Sequence, residues 1–386
     1  MVYTWLSLDG VQNISLKAFK TTQLHYRHFT CSEIFLSSSP VPMASPAKVV
    51  ARELRHLIRV YTDGSVERIV DSPYLPPSPN PDPATGVSSK DIIISENPKL
   101  SARLYLPKIQ HHHQKLPILV HFHGGAFCLG SAFSYFEDRK TSLLVSQAKV
   151  VAVSVEYRLA PEDPLPAAYE DGWATLNWVA AHFKAQNEPN RDPWLLNYGD
   201  FDRLYISGES SGGNIVHNIA MRAGSENLEG NVKILGAFIS HSYFWGSKPI
   251  GSENDRRDNP KLYLTLDSKT IGTEPGVDHD KTFPALVWDF VYPSAPGGLD
   301  NPMLNPEGPG APSLARLGCS RLLICVAGED ELRDRGVRYY ESVKESGWKG
   351  ELELHEDEGE GHGFYAINLE SVNAKNMFKR WSSFLE

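Results

Sequence analysis

The sequence predicts an α/β fold: a mostly parallel sheet of eight strands, with helices on both faces and a cap over the strand ends. Three observations point there. Short apolar runs such as Leu116-Pro-Ile-Leu-Val-His-Phe-His123 and Leu322-Leu-Ile-Cys-Val-Ala327 have the length and texture of strands buried on both faces. Strand and helix patterns alternate through the second half of the chain, the order that winds a parallel sheet. One strand pattern, Leu204-Tyr-Ile-Ser207, breaks at Gly208-Glu-Ser-Ser-Gly212 and passes at once into a helical run containing Ile215, Val216, Ile219 and Ala220. Ser210 is left on a turn between two glycines.

Composition narrows the function classes. With 386 residues the chain can bury a large core, and one α/β domain with extensions accommodates that length. A net charge of −9 and a pI near 5.9 exclude nucleic-acid backbones and anionic membranes as natural partners and favour a small neutral or apolar molecule. No apolar run approaches the ~18 residues of a membrane span. Cys31, Cys128, Cys319 and Cys325 form no metal-binding spacing and read as free thiols. No cofactor pattern is present, and nothing in the sequence reports oligomeric state.

The elements follow in order. Residues 1–42 are hydroxyl-rich and mildly basic (Lys17, Lys20, Arg27), with Asp9 and Glu33 as their acids. They fit either a transit peptide or an upstream extension without function. The expected location is accordingly cytoplasmic, or plastid if the segment is a transit peptide. From residue 43 a single domain is expected, its cap drawn from residues 43–90 and 241–295. Val50, Leu54 and Leu57 recur at helical spacing, so a helix is expected over 47–57, followed by a hairpin around Asp63-Gly64. Strands are expected over 91–95, 102–106, 116–123, 150–155, 204–207, 234–240, 321–327 and 351–355, the first two antiparallel. Helices are expected over 167–183, after Ser210, and at the C-terminus, where Ala374, Met377, Phe378, Trp381, Phe384 and Leu385 share one face. The aromatic-rich stretch 241–320 is too long for a crossover and reads as a lid, with a polar, mobile insertion at 254–269. His111, His112 and His113 are adjacent and cannot face one ion, so a solvated loop is expected rather than a metal site.

A serine is a poor nucleophile at neutral pH unless a base takes its proton and a carboxylate fixes that base's tautomer. Asp330 directly follows a predicted parallel strand, at the edge where active-site loops gather. Glu329 and Asp334 compete for the acid role, Asp334 being better placed to cap the next helix. His362 lies in the glycine-rich loop Glu358-Gly-Glu-Gly-His-Gly-Phe364, whereas His217 and His355 fall inside regular elements and read as structural. The order Ser210, Asp330, His362 suits a nucleophile, acid and base. Negative charge developing on a carbonyl oxygen needs preset donors, and the N–H groups of Gly124, Gly125 and Ser211 are the candidates.

His123-Gly-Gly-Ala-Phe127, Tyr157-Arg-Leu-Ala-Pro-Glu162, Pro166-Ala-Ala-Tyr-Glu-Asp-Gly172, Gly208-Glu-Ser-Ser-Gly-Gly-Asn214, Asp330-Glu-Leu-Arg-Asp334 and Gly361-His-Gly-Phe364 resemble the hormone-sensitive-lipase-like α/β-hydrolases. Trp245-Gly-Ser-Lys-Pro-Ile-Gly-Ser-Glu253, Ala295-Pro-Gly-Gly-Leu-Asp-Asn-Pro302 and Ser346-Gly-Trp-Lys-Gly-Glu-Leu352 resemble, more narrowly, the plant carboxylesterases, including 2-hydroxyisoflavanone dehydratases. The resemblance starts at Met43. It implies an α/β-hydrolase fold, catalysis by Ser210, Asp330 and His362, and an oxyanion hole of Gly124, Gly125 and Ser211. The expected activity is hydrolysis of a small-molecule carboxylic ester. Elimination on the same site is the alternative, although dehydratases of the legume isoflavonoid type carry Thr where Ser210 stands. The gibberellin receptor is similar to this family too, but it replaces the histidine that this chain keeps as His362.

Overall fold

The computed structural model describes residues 48–386 apart from 112–113, 185–190, 254–263, 267–268 and 272–277. Cys31, His112 and His113, and most of the expected insertion at 254–269, lie outside these. Val50–Leu54 is a strand (β1), not the helix its apolar spacing suggested. It pairs antiparallel with Ile58–Tyr61 (β2), which pairs with Val66–Arg68 (β3) across the expected Asp63-Gly64 turn. The ladder bonds to β2, together with burial of Leu54, Leu57 and Ile58, override a weak local helix preference. Arg55 and His56, both at positive φ, make the corner.

The main sheet begins with an antiparallel hairpin, Ser88–Glu96 (β4) and Lys99–Leu106 (β5). Leu116–Phe122 (β6) is buried at every residue. Val151–Glu156 (β7), Gly199–Glu209 (β8) and Ile234–Ser240 (β9) follow. A detached hairpin, Leu264–Leu266 (β10) with Lys269–Ile271 (β11), precedes Cys319–Ala327 (β12) and Glu351–Asp357 (β13). The eight strands run in the order β13-β12-β9-β8-β6-β7-β5-β4. The pairs β6–β7, β6–β8, β8–β9, β9–β12 and β12–β13 are parallel, whereas β5 pairs antiparallel with both β4 and β7. The expected eight strands and their early antiparallel pair are all present.

Successive side chains of a strand face opposite ways, so each covered face collects its own core. Leu119, Tyr205, Phe238, Leu323 and Cys325 meet two helices, Tyr135–Ala148 (α1) and, from the far end of the chain, Val372–Phe384. On the C-terminal helix, Ala374, Met377, Phe378, Trp381 and Phe384 are buried as expected, and Trp381 stacks on Phe238 at 5.4 Å. Ile118, Val120, Phe122, Val153, Leu204 and Ile206 face the other way, in one cluster with Ala167–Ala181 (α2) and Ser211–Ala223 (α4); between these two comes the short Pro193–Tyr198 (α3).

Phe283–Val291 (α5) packs on the small sheet: the Arg52 guanidinium donates to the Asp289 carbonyl at 3.3 Å and lies 4.9 Å over the Phe290 ring. The described aromatic residues of the 241–320 stretch mostly fill the interior. Tyr243, Phe244, Trp245, Trp288 and Phe290 are buried, leaving Phe283 and Tyr292 half-exposed. Arg333–Glu345 (α6) follows β12, and Phe364–Ile367 (α7) leads into Val372–Phe384 (α8). Cys128, Cys319 and Cys325 are free and buried, and burial pushes each thiol up to about 12. No helix among the described residues is long and apolar enough to cross a membrane.

Candidate active site

The turn from β8 into α4 is strained at the residue that the sequence singled out. Ser210 has φ 52° and ψ −118°, a conformation that costs a non-glycine residue of order 1–3 kcal/mol. Its surroundings enforce it. A Cβ on Gly208 would lie 2.3 Å from the Gly212 carbonyl, and one on Gly212 would lie 2.1 Å from the Phe122 carbonyl oxygen. The Ser210 N–H donates to the Ser240 carbonyl at the end of β9 (2.9 Å), and its own carbonyl accepts from Tyr243 (2.9 Å). The turn is therefore wedged between β6 and β9, with the Ser210 side chain half-buried.

At the end of β12, Asp330 is buried and its Oδ1 accepts the Leu332 N–H at 2.9 Å. Its Oδ2 lies 2.8 Å from His362 Nδ1. Burial opposes the Asp330 charge, but His362, His241 and the Leu332 N–H outweigh it and hold the carboxyl below its usual range. For His362 burial again opposes the charge, the Asp330 carboxylate overcomes it, and the imidazole is held above the ordinary histidine value. That direction accords with the 42 % of the His362 side chain left in solvent, where the burial penalty is softened.

Asp334 is placed differently from expectation. It is the second residue of α6, and its Oδ2 accepts from the N–H and hydroxyl of Ser252, both at 2.6 Å, instead of capping its own helix. It anchors the segment that precedes residue 254. Glu329 is fixed through its backbone, donating to the Glu360 carbonyl at 2.8 Å. His217 pairs through Nδ1 with the Tyr339 hydroxyl (2.8 Å), and burial pushes it down to about 3; His355 lies 3.3 Å from Asp357. His217 also packs edge-on against Phe244 and Tyr339.

The loop after β6 lies directly over the elbow. A Cβ on Gly124 would be 3.5 Å from Ser210 Cβ, and one on Gly125 (φ 119°) would strike the Leu129 carbonyl at 2.2 Å. The loop's shape is fixed from behind. Tyr157 stacks on His123 at 4.3 Å and donates its hydroxyl to the His123 carbonyl at 2.8 Å, while the Gly125 carbonyl accepts from Cys128 and Leu129. The N–H groups of Gly124, Gly125 and Ser211 donate to no carbonyl among the described residues. Fixed, unspent donors beside a half-buried hydroxyl can stabilise an oxyanion.

Two features escaped the sequence. His241, directly after β9, accepts the Gly363 N–H on Nδ1 at 2.9 Å and lies 3.7 Å from Asp330 Oδ2. The signal was its position at a strand end, equivalent to that of Asp330. Glu209, beside the serine, ends a buried chain: His121 lies 3.0 Å from Glu137, Glu137 lies 2.7 Å from Lys140, and Lys140 meets Glu209. Burial opposes the Glu137 charge, but Lys140 and His121 hold its carboxyl well below the usual range. Glu137 and Lys140 share α1 at i,i+3 spacing, but His121 on β6 and Glu209 on β8 reach them only through the fold. Among the described residues, only His241, Asp330 and His362 bring donor atoms to metal-binding spacing, within 4.8 Å. All three are engaged in the hydrogen bonds just described. His111 is exposed and outside any such cluster.

The description "alpha/beta hydrolase fold" matches residues 119–366. A 2-hydroxyisoflavanone dehydratase of Glycyrrhiza echinata is 54% identical over 340 residues, 88% of this chain and 97% of that protein. The probable carboxylesterase 2 of Arabidopsis thaliana is 41% identical, covering 89% and 98%. Among solved structures, the thermostable carboxylesterase EstE1 from a metagenomic library superposes with a TM-score of 0.60 at 23% identity, over 82% of this chain and 90% of that one, a likeness of fold. The chain belongs to the α/β-hydrolase family, and within it is similar to plant 2-hydroxyisoflavanone dehydratases and carboxylesterases.

Proposed function

We propose that the protein hydrolyses small apolar carboxylic esters, plant specialised-metabolite esters among them, through Ser210, His362 and Asp330. The observation that carries this reading is the 2.8 Å contact of His362 Nδ1 with buried Asp330, on strand ends that also hold the elbow of Ser210. Ser210 Oγ bonds to the ester carbonyl carbon while its proton passes to His362 Nε2. The carbonyl electrons collect on the oxygen facing Gly124, Gly125 and Ser211. The C–O bond to the alcohol then breaks, the alcohol leaves with the proton from His362, and water repeats the sequence to release the acid. The described residues of 48–90 and 241–295 would cap the site, with half-exposed Phe283 and Tyr292 available to the apolar part of the substrate. A fluorophosphonate should label Ser210 alone, and Ser210→Ala should lower p-nitrophenyl butyrate turnover by about 10⁶. Near wild-type turnover in that variant would sink the reading.

A second reading, 2-hydroxyisoflavanone-type elimination, is favoured by the 54% identity to a protein of that name. Elimination needs a base and a polarising donor but no acyl-enzyme. The first reading expects Ser210→Ala and His362→Ala to lose native ester turnover about equally, because triad members act as a unit. The second expects Ser210→Ala to keep a substantial fraction of 2-hydroxyisoflavanone turnover while His362→Ala loses nearly all.

A further inference from the structure

We propose that His241 is a positioning residue for His362: its unprotonated Nδ1 accepts the Gly363 N–H, and its ring packs on the 362–365 turn, so that His362 keeps its Nδ1–H on Asp330. The inference rests on the reading of His362 as the base, and its geometry is independent of substrate.

Three strand ends converge on the dipeptide Ser240-His241. The Ser240 carbonyl holds the Ser210 N–H at 2.9 Å, the His241 N–H donates to the Cys325 carbonyl of β12 at 2.8 Å, and His241 Nδ1 holds the turn after β13. Gly363 is the residue next to His362 and has φ 62°, so a rotation of the 362–363 peptide would swing the imidazole away from Asp330. The His241 ring also lies 5.7 Å from that of His362, 5.8 Å from Phe364 and 5.4 Å from Tyr365. One side chain thus grips the backbone and the rings of the same turn.

The tautomer follows from the donor. Because an N–H points at Nδ1, the ring proton is on Nε2. That choice matters, since Nδ1 stands 3.7 Å from Asp330 Oδ2, and a proton there would compete with His362 for the carboxylate. His241 Nε2 is buried without a hydrogen-bond partner among the described residues, a desolvation cost that a hydrocarbon would avoid. A histidine at that position is accounted for by what its other nitrogen does. Burial pushes His241 down to about 4; Asp330 and Glu209 oppose this and His362 reinforces it, so the ring is neutral at physiological pH.

Asn and Gln separate the two nitrogens. The Asn carbonyl can stand where Nδ1 stands, whereas the Gln amide reaches the place of Nε2. Asn also tolerates the backbone of His241 (φ 49°). Both variants and the wild type would be compared by thermal melting and by the downfield proton resonance of His362 Nδ1–H, assigned through its loss in His362→Gln. Turnover of p-nitrophenyl butyrate completes the set. The expected result is that His241→Asn keeps the resonance and a kcat near wild type. His241→Gln should lose the resonance to exchange and about 10–10²-fold in kcat, with KM unchanged. Equal behaviour of the two variants in resonance and kcat overturns the inference. Turnover that survives Ser210→Ala would instead refute the esterase reading, and the resonance would still decide the role of His241.

Discussion

Replacing Asp330 by Asn tests the acid assignment with little disturbance of shape. Asn Oδ1 can still accept the Leu332 N–H, now held at 2.9 Å by Asp330, so the strand end should survive. What changes is the face toward His362. At 2.8 Å from Nδ1 the Asn amide would present a donor, forcing the imidazole proton onto Nε2, the nitrogen that must receive the serine proton. The buried countercharge for the imidazolium disappears as well. Together these should lower kcat by about 10⁴, or about 5 kcal/mol of barrier. Asp334→Asn is the matched control, because Asp334 holds Ser252 N and Oγ at 2.6 Å and Arg333 at 2.8 Å. It should cost about 1–3 kcal/mol of stability and little turnover. Turnover of p-nitrophenyl butyrate and urea denaturation of both variants provide the comparison. Asp330→Asn retaining a tenth of wild-type kcat, or Asp334→Asn falling as far as Asp330→Asn, would refute the reasoning.

Gly212→Ala places a Cβ 2.1 Å from the Phe122 carbonyl oxygen and 2.6 Å from that of His123, both backbone atoms, so it should destabilise by about 1–3 kcal/mol and depress turnover by displacing the 123–127 loop; denaturant midpoints and kcat check it. On the proposed mechanism His362 must be neutral to accept a proton, so kcat/KM should fall toward acid with a midpoint above about 6.5, the ordinary histidine value. The same pairing binds the His362 proton more tightly in the folded state than in the unfolded one. Its stabilisation is therefore complete below the unfolded value and fades as pH rises through the folded one, which a pH series of unfolding curves would show. Trp381→Ala removes a buried ring stacked on Phe238 and should cost about 3–5 kcal/mol, read as a lower melting temperature with kcat per folded molecule unchanged.

The fold was legible wherever the burial pattern was unambiguous. A run with no polar interruption, as in β6, can sit only in a strand covered on both faces, and the face carrying Met377, Phe378 and Trp381 can sit only against a sheet. The 47–57 segment was misread because three apolar residues at spacings of four and three satisfy a helix, while their actual partners, β2 and β3, belong to a small sheet outside the main one. The aromatic stretch 241–320 shows the complementary limit. Composition marked the stretch out but could not say which rings are buried, since a large ring is used as readily to fill a core as to meet a ligand.

At the site, what could be read was what the backbone makes local. Gly208 and Gly212 leave no room for a Cβ, so Ser210 announces itself within five residues. Asp330 and His362 were reachable by chain order and by strand ends. His241 shares the strand-end position, but its contacts are defined by what folding brings to it: a peptide N–H from a loop 122 residues later and a carboxylate 89 residues later. The same holds for the Glu137–Lys140–Glu209 chain, whose charges in a linear reading look like ordinary surface residues of a helix and a turn. Buried together, each charge is held by its neighbours, and removing Lys140 would leave two carboxylates close to each other beneath the elbow. That repulsion would fall on Glu209, next to Ser210, so a side chain on α1 bears on the turn that carries the proposed nucleophile.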